Sequence, residues 1–257
     1  MGWVLEKVVL ERGREVIAVT ASISAQNALR WSDRIQKHDP LMICDAYNNN
    51  PNIGLVAAYQ SEYEKAKGIT LWEQNINIIA FTHDDWEPHE PWVARIESEF
   101  ADPKVAIVGM GGAKGIGVAD IYKTPYQIQQ LQRIEYRSNQ TDWEIHGARE
   151  TGACDVAVVD GFFMAVRTSF LDQIGGWKWF PHRFHMYDVA LCLMAHRHGW
   201  KVRMVGINCT HHGGGTSTTA DYVQDCKDRG TSVEREHTEP HVWCYNEFRD
   251  ALPLRVM

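Results

Sequence analysis

Short apolar runs alternate with stretches whose apolar residues recur every three or four positions, and this alternation sets the expected architecture. Glu15 to Thr20 reads as a strand, and Ser24 to Lys37 as a helix with Ala25, Ala28, Leu29 and Ile35 at helical spacing. Leu41 to Cys44 is a second apolar run, ending at Asp45, and Asn48-Asn49-Asn50-Pro51-Asn52 follows as a turn. Asn52 can cap a helix from Ile53 to Lys67 that Gly68 can end. Ile76 to Thr82 reads as a buried strand. Pro91 then opens a helix carrying Trp92, Val93, Ile96 and Phe100, and Val105 to Val108 is the next strand. Strand and helix in regular succession predict an α/β fold with a mainly parallel sheet.

The second half is less regular. Gly109 to Gly117 (GMGGAKGIG) lacks the G-x-x-x-x-G-K-[ST] pattern of a phosphate loop and is expected to be a flexible loop near a cleft. Residues 118 to 152 are polar, with a helix suggested over Thr124 to Arg137. Asp155 to Arg167 is a strongly apolar strand region interrupted by Asp160-Gly161. A short helix over Ser169 to Ile174 stops at Gly175-Gly176. Tyr187 to His198 reads as a helix with Leu191, Met194 and Ala195 on one face, closed by Gly199, and Lys201 to Asn208 as a strand. Beyond Thr216 the chain is polar and helical in places. The expected organisation is a core over residues 1–217 and a partly helical C-terminal extension over 218–257 packed on it.

Composition narrows the partners. A net charge of −7 over 257 residues argues against a dominant nonspecific attraction to nucleic acid. No apolar run approaches the roughly 20 residues that span a bilayer. Met1 to Val19 carries charges through its middle and does not read as a signal peptide. The six cysteines, Cys44, Cys154, Cys192, Cys209, Cys226 and Cys244, form no C-x-x-C pair and read as free thiols of a cytoplasmic protein. The ten tryptophans include Trp86, Trp92, Trp143, Trp177 and Trp179 in turn-like surroundings, where they either pack or offer a face to a sugar or base.

The chemistry concentrates at two strand ends. His83-Asp84-Asp85 follows the Ile76–Thr82 run, and Cys209-Thr210-His211-His212-Gly213-Gly214-Gly215 follows the Lys201–Asn208 run. In open parallel sheets, ligands bind beyond the carboxyl ends of strands. Carboxylates there either hold a hard cation and its diphosphate or cap the turn. Asp160 is costly in an apolar strand unless it is paired or faces a cleft. Asp188 opens a helix, as a cap or as a general base. A zinc site from Cys209 and both histidines lacks an evident fourth ligand.

These segments resemble a known family. IAFTHDDWEPHEPWVARIESEFADPKVAIVG resembles the metal-motif strand, helix and next strand of family 2 glycosyltransferases of the GT-A fold. CDAYNNNPNIGLVAAYQSEYEKAKG resembles the nucleotide-side segment, and DGFFMAVRTSFLDQIGGW and FHMYDVALCLMAHRHGWKVRMVGINCTHHGGGTS resemble the acceptor strand, catalytic helix and C-terminal His loop. The resemblance covers roughly residues 15 to 217. It implies a Rossmann-like, mainly parallel sheet flanked by helices. It implies donor-nucleotide roles for Thr20, Ala21, Ser22, Asp45 and Asp84, and a Mn(II) or Mg(II) site at Asp85 and His211. It also implies a general base at Asp188 and acceptor contacts at Asp160, Gly161, Trp179 and Tyr187. Two positions depart from the family pattern: the first acid of the metal motif is His83, and an acid often found two positions after the base is Ala190.

The function implied is sugar transfer from a nucleotide-sugar donor, UDP-linked by resemblance, to a hydroxyl acceptor. One base and no evident protein nucleophile favour inversion by single displacement. A nucleotidyltransferase would need a basic loop early in the chain, where only Arg30 and Arg34 are near. An inert nucleotide- or glycan-binding module is the third alternative, and nucleotide release without acceptor transfer would separate the three. The acceptor class stays open among a glycan, a lipid-linked glycan, a protein and a modified DNA base, and the oligomeric state is equally open.

Overall fold

The computed structural model describes residues 16–40, 42–67, 77–122, 128–140, 147–213 and 219–256. The first half runs β1 (Val16–Ser22), α1 (Ala25–Gln36), β2 (Ile43–Asn48), α2 (Leu55–Lys65), β3 (Ile78–Thr82), β4 (Trp86–Pro88), α3 (Val93–Glu99) and β5 (Val105–Gly109). Next come β6 (Gly111–Tyr122), β7 (Ile128–Ser138), β8 (Ala148–Arg149), β9 (Ala153–Asp155), β10 (Val158–Val159) and β11 (Phe163–Arg167). The remainder is α4 (Thr168–Ile174), α5 (Tyr187–Arg197), β12 (Lys201–Val205), β13 (Cys209–His211), α6 (Ala220–Asp228), α7 (Val233–Phe248) and β14 (Leu254–Arg255).

The central sheet has the order β2-β1-β3-β11-β5-β12-β9. β1 pairs in parallel with β2 and β3, and β5 with β12. β11 and β9 run antiparallel to their neighbours. The sheet is thus mostly parallel and flanked by helices, as the strand–helix alternation predicts. Side chains of β3 alternate between its faces. Ile78 and Ala80 join the layer beneath α1 and α3 with Trp31, Ile35 and Ile96, whereas Ile79 and Phe81 join Tyr59, Leu191 and Phe170 on the α2, α4 and α5 side. Ser24 caps α1 through its hydroxyl, and the buried face is Ala28, Trp31, Ser32 and Ile35. Leu29, expected on that face, is 52% exposed. The expected stop at Gly68 lies outside the described residues.

Two expectations for the second half are corrected. Gly109–Gly117 is not a flexible loop but the end of β5 and the start of β6. Thr124–Arg137 is not helical where described, because Ile128–Ser138 is the strand β7, paired antiparallel with β6. The glycines are there for close approach. A Cβ at Gly109 would lie 2.5 Å from the Val159 side chain, and one at Gly112 would lie 2.4 Å from the Val158 carbonyl. Gly111 is crowded in the same way by the Tyr136 hydroxyl, 2.6 Å from where its Cβ would stand.

Trp86, Trp92 and Trp177 are fully buried core residues, and Trp143 lies outside the described residues. All six cysteines are free. The C-terminal helix α7 packs against β7, and Phe248 is buried against Trp179 and Trp243. Among the described residues no helix is long and apolar enough to cross a membrane.

Candidate active site

The carboxyl ends of β1 and β3 are tied together at Thr82. Its carbonyl accepts from the Thr20 hydroxyl at 2.8 Å and the Tyr59 hydroxyl at 3.0 Å, and its own hydroxyl accepts from the Trp31 indole at 2.7 Å. All four side chains are wholly buried, so the strand ends are rigid. Just above them the Ser22 hydroxyl donates to Asp84 Oδ2 at 2.6 Å. A cavity of about 1010 Å³ opens here, lined by Ala21, Asn27, Asp84, Asp85 and residues of α5 to α7.

The second strand end reaches the same place. β13 pairs antiparallel with β4, setting His211 opposite Trp86. His211 Nε2 then lies 3.3 Å from Asp85 Oδ1 and 3.2 Å from His83 Nδ1. His83, Asp85 and His211 can each offer one ligand atom within 4.8 Å of the others. Phe162 stacks on the His211 ring and fixes its plane.

These residues fit a divalent cation. Asp85 Oδ1 is buried and accepts no hydrogen bond of good geometry among the described residues. A Cβ at Gly213 would lie 2.7 Å from His211 Nε2 and 3.2 Å from Asp85 Oδ2, so the glycine keeps that space open. Burial, and next the neighbouring His211, hold the His83 imidazole below its ordinary pKa, leaving it neutral with a lone pair to give. Burial raises the Asp85 carboxyl, but the two histidines outweigh it, and it stays ionised. The Tyr187 hydroxyl lies 2.8 Å from His83 Nε2 and donates to the Gly161 carbonyl at 3.2 Å. That arrangement places the imidazole proton on Nε2 and turns Nδ1 toward Asp85 and His211.

Beside this group lies a part-buried ion network, in which Asp188 is buried and Arg133 and Asp160 are half-buried. Arg133, from β7, donates to Asp160 Oδ2 at 2.8 Å and to Asp188 Oδ2 at 3.0 Å. The Gly161 amide also donates to Asp188 Oδ2 at 3.0 Å. Burial raises the Asp188 carboxyl; Arg133 opposes this, Asp160 adds to it, and the net shift is upward. Asp160 is also pushed up by burial, yet Arg133 and then His211 prevail and lower it. Two carboxylates in one cleft are therefore driven apart in proton affinity, the pattern of an acid–base site. The cap of α5 is Met186, with no side-chain bond, and Asp188 sits in the first turn.

The family model described as glycosyltransferase like family 2 matches residues 55–227. The chain belongs to that family. No curated protein matches the sequence. The crystal structure of GalNAc-T7 with UDP, GalNAc and Mn2+ has a TM-score of 0.53 at 10% identity, covering 92% of this chain and 51% of that one, so this chain spans about half of it. The crystal structure of A197 from STIV has a TM-score of 0.46 at 14% identity, covering 78% and 87% of the two chains. The fold is GT-A, and the protein is a glycosyltransferase.

In this glycosyltransferase the cavity gathers Ala21, Asp84, Asp85, Asp160, Gly161, Tyr187 and Asp188 at its wall. Thr20 lies beneath the floor, its hydroxyl engaged by Thr82. Ser22 reaches the site through Asp84. Asp45 pairs with Lys65, away from the cavity wall. Trp179 packs in an aromatic cluster with Phe180, Trp243 and Phe248 and does not line the cavity. Sequence reasoning missed His83 as a candidate ligand, Arg133 as the partner of both acids, and His237 and His241 at the wall. His83 was visible in the triplet His83-Asp84-Asp85, and the i, i+4 spacing of His237 and His241 marks one helix face. Arg133 carried no sequence signal, because β7 was not recognised as a strand.

Proposed function

We propose that the protein moves a sugar from a nucleotide-diphosphate donor, UDP-linked, to a hydroxyl acceptor, with inversion by single displacement. The observation that carries this reading is the His83–Asp85–His211 group beside Asp84 and Ser22 in one cavity. The GalNAc-T7 structure contains UDP and Mn2+, which supports a nucleotide and a cation in such a fold. The charge of the described lining residues supports a need for a cation. Among the described residues they include no lysine and one arginine, Arg133, which is already held by two carboxylates.

His83, Asp85 and His211 would hold the cation, and two imidazoles with one carboxylate favour Mn(II) over Mg(II), which prefers oxygen ligands. A bound cation supplies positive charge to the leaving diphosphate. Asp188 takes the proton of the acceptor hydroxyl as that oxygen bonds to the anomeric carbon and the bond to the diphosphate oxygen breaks. Arg133 and the Gly161 amide hold Asp188 Oδ2 and so fix the carboxylate's direction. We propose further that the core spans residues 1–217 and that 218–257 is an extension completing the cavity.

A thermal-shift panel of nucleotide diphosphates with and without Mn(II) tests the donor reading. UDP with Mn(II) is expected to give the largest upward shift. Equal shifts with and without the cation would contradict it.

A further inference from the structure

The cavity has a second chemical region, built by α6, α7 and the turn before α5. His185, His237 and His241 stand together there, with ring centroids 5.2 Å and 4.8 Å apart in succession. The Tyr222 hydroxyl lies 3.1 Å from His185 Nε2, and Phe184 meets the Tyr222 ring edge-on at 5.3 Å. Asp221 and Asp225 complete this wall.

Several observations mark it as a ligand surface. His241 is only 7% exposed, yet its Nδ1 has no hydrogen-bond partner among the described residues, and the residue lines the cavity. A buried polar atom left unpaired is unfavourable, and a ligand hydroxyl would satisfy it. His185 and Met186 both adopt left-handed backbone, φ 51° and 59°, an unfavourable conformation for non-glycine residues held at the cavity edge. The wall adjoins the proposed base and its partner, since Arg133, Asp160 and Asp188 line the same cavity as His241.

The chemistry of the wall selects its ligand. Burial keeps all three imidazoles neutral, lowering His185 to about 4 and His241 to about 3. A neutral imidazole has one donor and one acceptor nitrogen, as a hydroxyl is both donor and acceptor. Phe184 and Tyr222 offer ring surface to the apolar face of a sugar. Asp225 is engaged by Arg229 at 2.9 Å, and Asp221 adds an exposed carboxylate. Among the described lining residues no cation is available for an acidic acceptor, because Arg133 is already engaged.

We infer that this wall, with His185, His237, His241, Tyr222 and Asp221, is the acceptor subsite and that it takes an uncharged glycan. The inference rests on the transferase reading of the same cavity. It excludes oligonucleotides and acidic glycans as the preferred acceptor.

The test uses the whole protein with Mn(II) and UDP, against an array of neutral oligosaccharides, sialylated and sulfated oligosaccharides, and oligodeoxynucleotides. Binding is expected on neutral glycans alone. Affinity for the best of them is expected to fall about 10-fold or more in His241→Gln, as for a lost buried hydrogen bond, and similarly in Asp221→Asn. Asp221 is exposed on α6, so its variant remains informative if His241→Gln fails to fold. Preference for acidic glycans or DNA, no neutral glycan bound, or undiminished binding by Asp221→Asn would overturn the inference. The array is repeated on wild-type protein without UDP and Mn(II), and UDP affinity is measured separately. Neutral-glycan binding without cation-dependent UDP binding would contradict the donor reading while leaving the subsite supported.

Discussion

Two sides of one cavity are built in different ways. The β1–β3 side stands on parallel strands whose ends converge on Thr82, and its charged groups follow those strands directly in sequence. The β7–α7 side stands on a hairpin and a C-terminal helix, and its groups come from positions far apart: Arg133, Asp160, Asp188 and His241. The first side concentrates groups that could hold a metal, and the second the proposed base Asp188, its partner Arg133 and neutral imidazoles. On the reading proposed here, the regular frame sets the donor side and the less regular side the acceptor.

The largest expected effect lies between the two sides. Asp188→Asn keeps the size but removes the basic oxygen, and transfer is expected to fall by about 100- to 10,000-fold while donor affinity survives. Turnover with a true acceptor, beside UDP binding, measures it. Full turnover would reduce Asp188 to a structural partner of Arg133 and move the search to Asp160.

Arg133→Met should come next. It leaves the buried Asp188 and the partly exposed Asp160 without their cation, and a loss of about 3 kcal/mol in stability, the lower end for a buried pair, is expected from denaturant unfolding. An unchanged midpoint would mean that the two acids do not depend on the hairpin.

The sequence rendered these sides unequally. Val16–Ser22, Ile78–Thr82 and Val105–Gly109 are short apolar runs between amphipathic helices, so periodicity alone reveals them and the charged residues at their ends. The hairpin is hidden because Gly111, Gly112 and Gly115 imitate a loop, although backbone and ring crowding forbid a side chain at 111 and 112. β11 is read as part of the Asp155–Arg167 strand region, but its antiparallel direction and its place between β3 and β5 are set by tertiary pairing and have no local signature. His83 stands where the resembling family has an acid, and only the fold reveals that its Nδ1 faces His211.

A smaller effect sharpens the donor side. Tyr187→Phe removes the hydroxyl beside His83 Nε2, and Mn(II) affinity is expected to drop about 10- to 100-fold by calorimetry. An unchanged affinity would exclude His83 from the cation site.

The smallest effect concerns the acceptor side. His185 and His241 have folded pKa values of about 4 and about 3 against an ordinary 6.5. The unfolded chain therefore binds protons first, so their contribution is full above 6.5 and is lost as the pH falls toward 4. Wild-type melting temperature should fall over this window by on the order of 5 °C more than that of His185→Gln. Parallel profiles would contradict neutral burial of that imidazole.

The central claim is that His83, Asp85 and His211 hold a cation on which nucleotide binding depends. Calorimetric titration of UDP with Mn(II) into wild-type and Asp85→Ala protein tests it most directly. The account predicts cation-dependent binding in the wild type and its loss in a folded Asp85→Ala variant. Equal UDP affinity in the two proteins, with Mn(II) present, would contradict it.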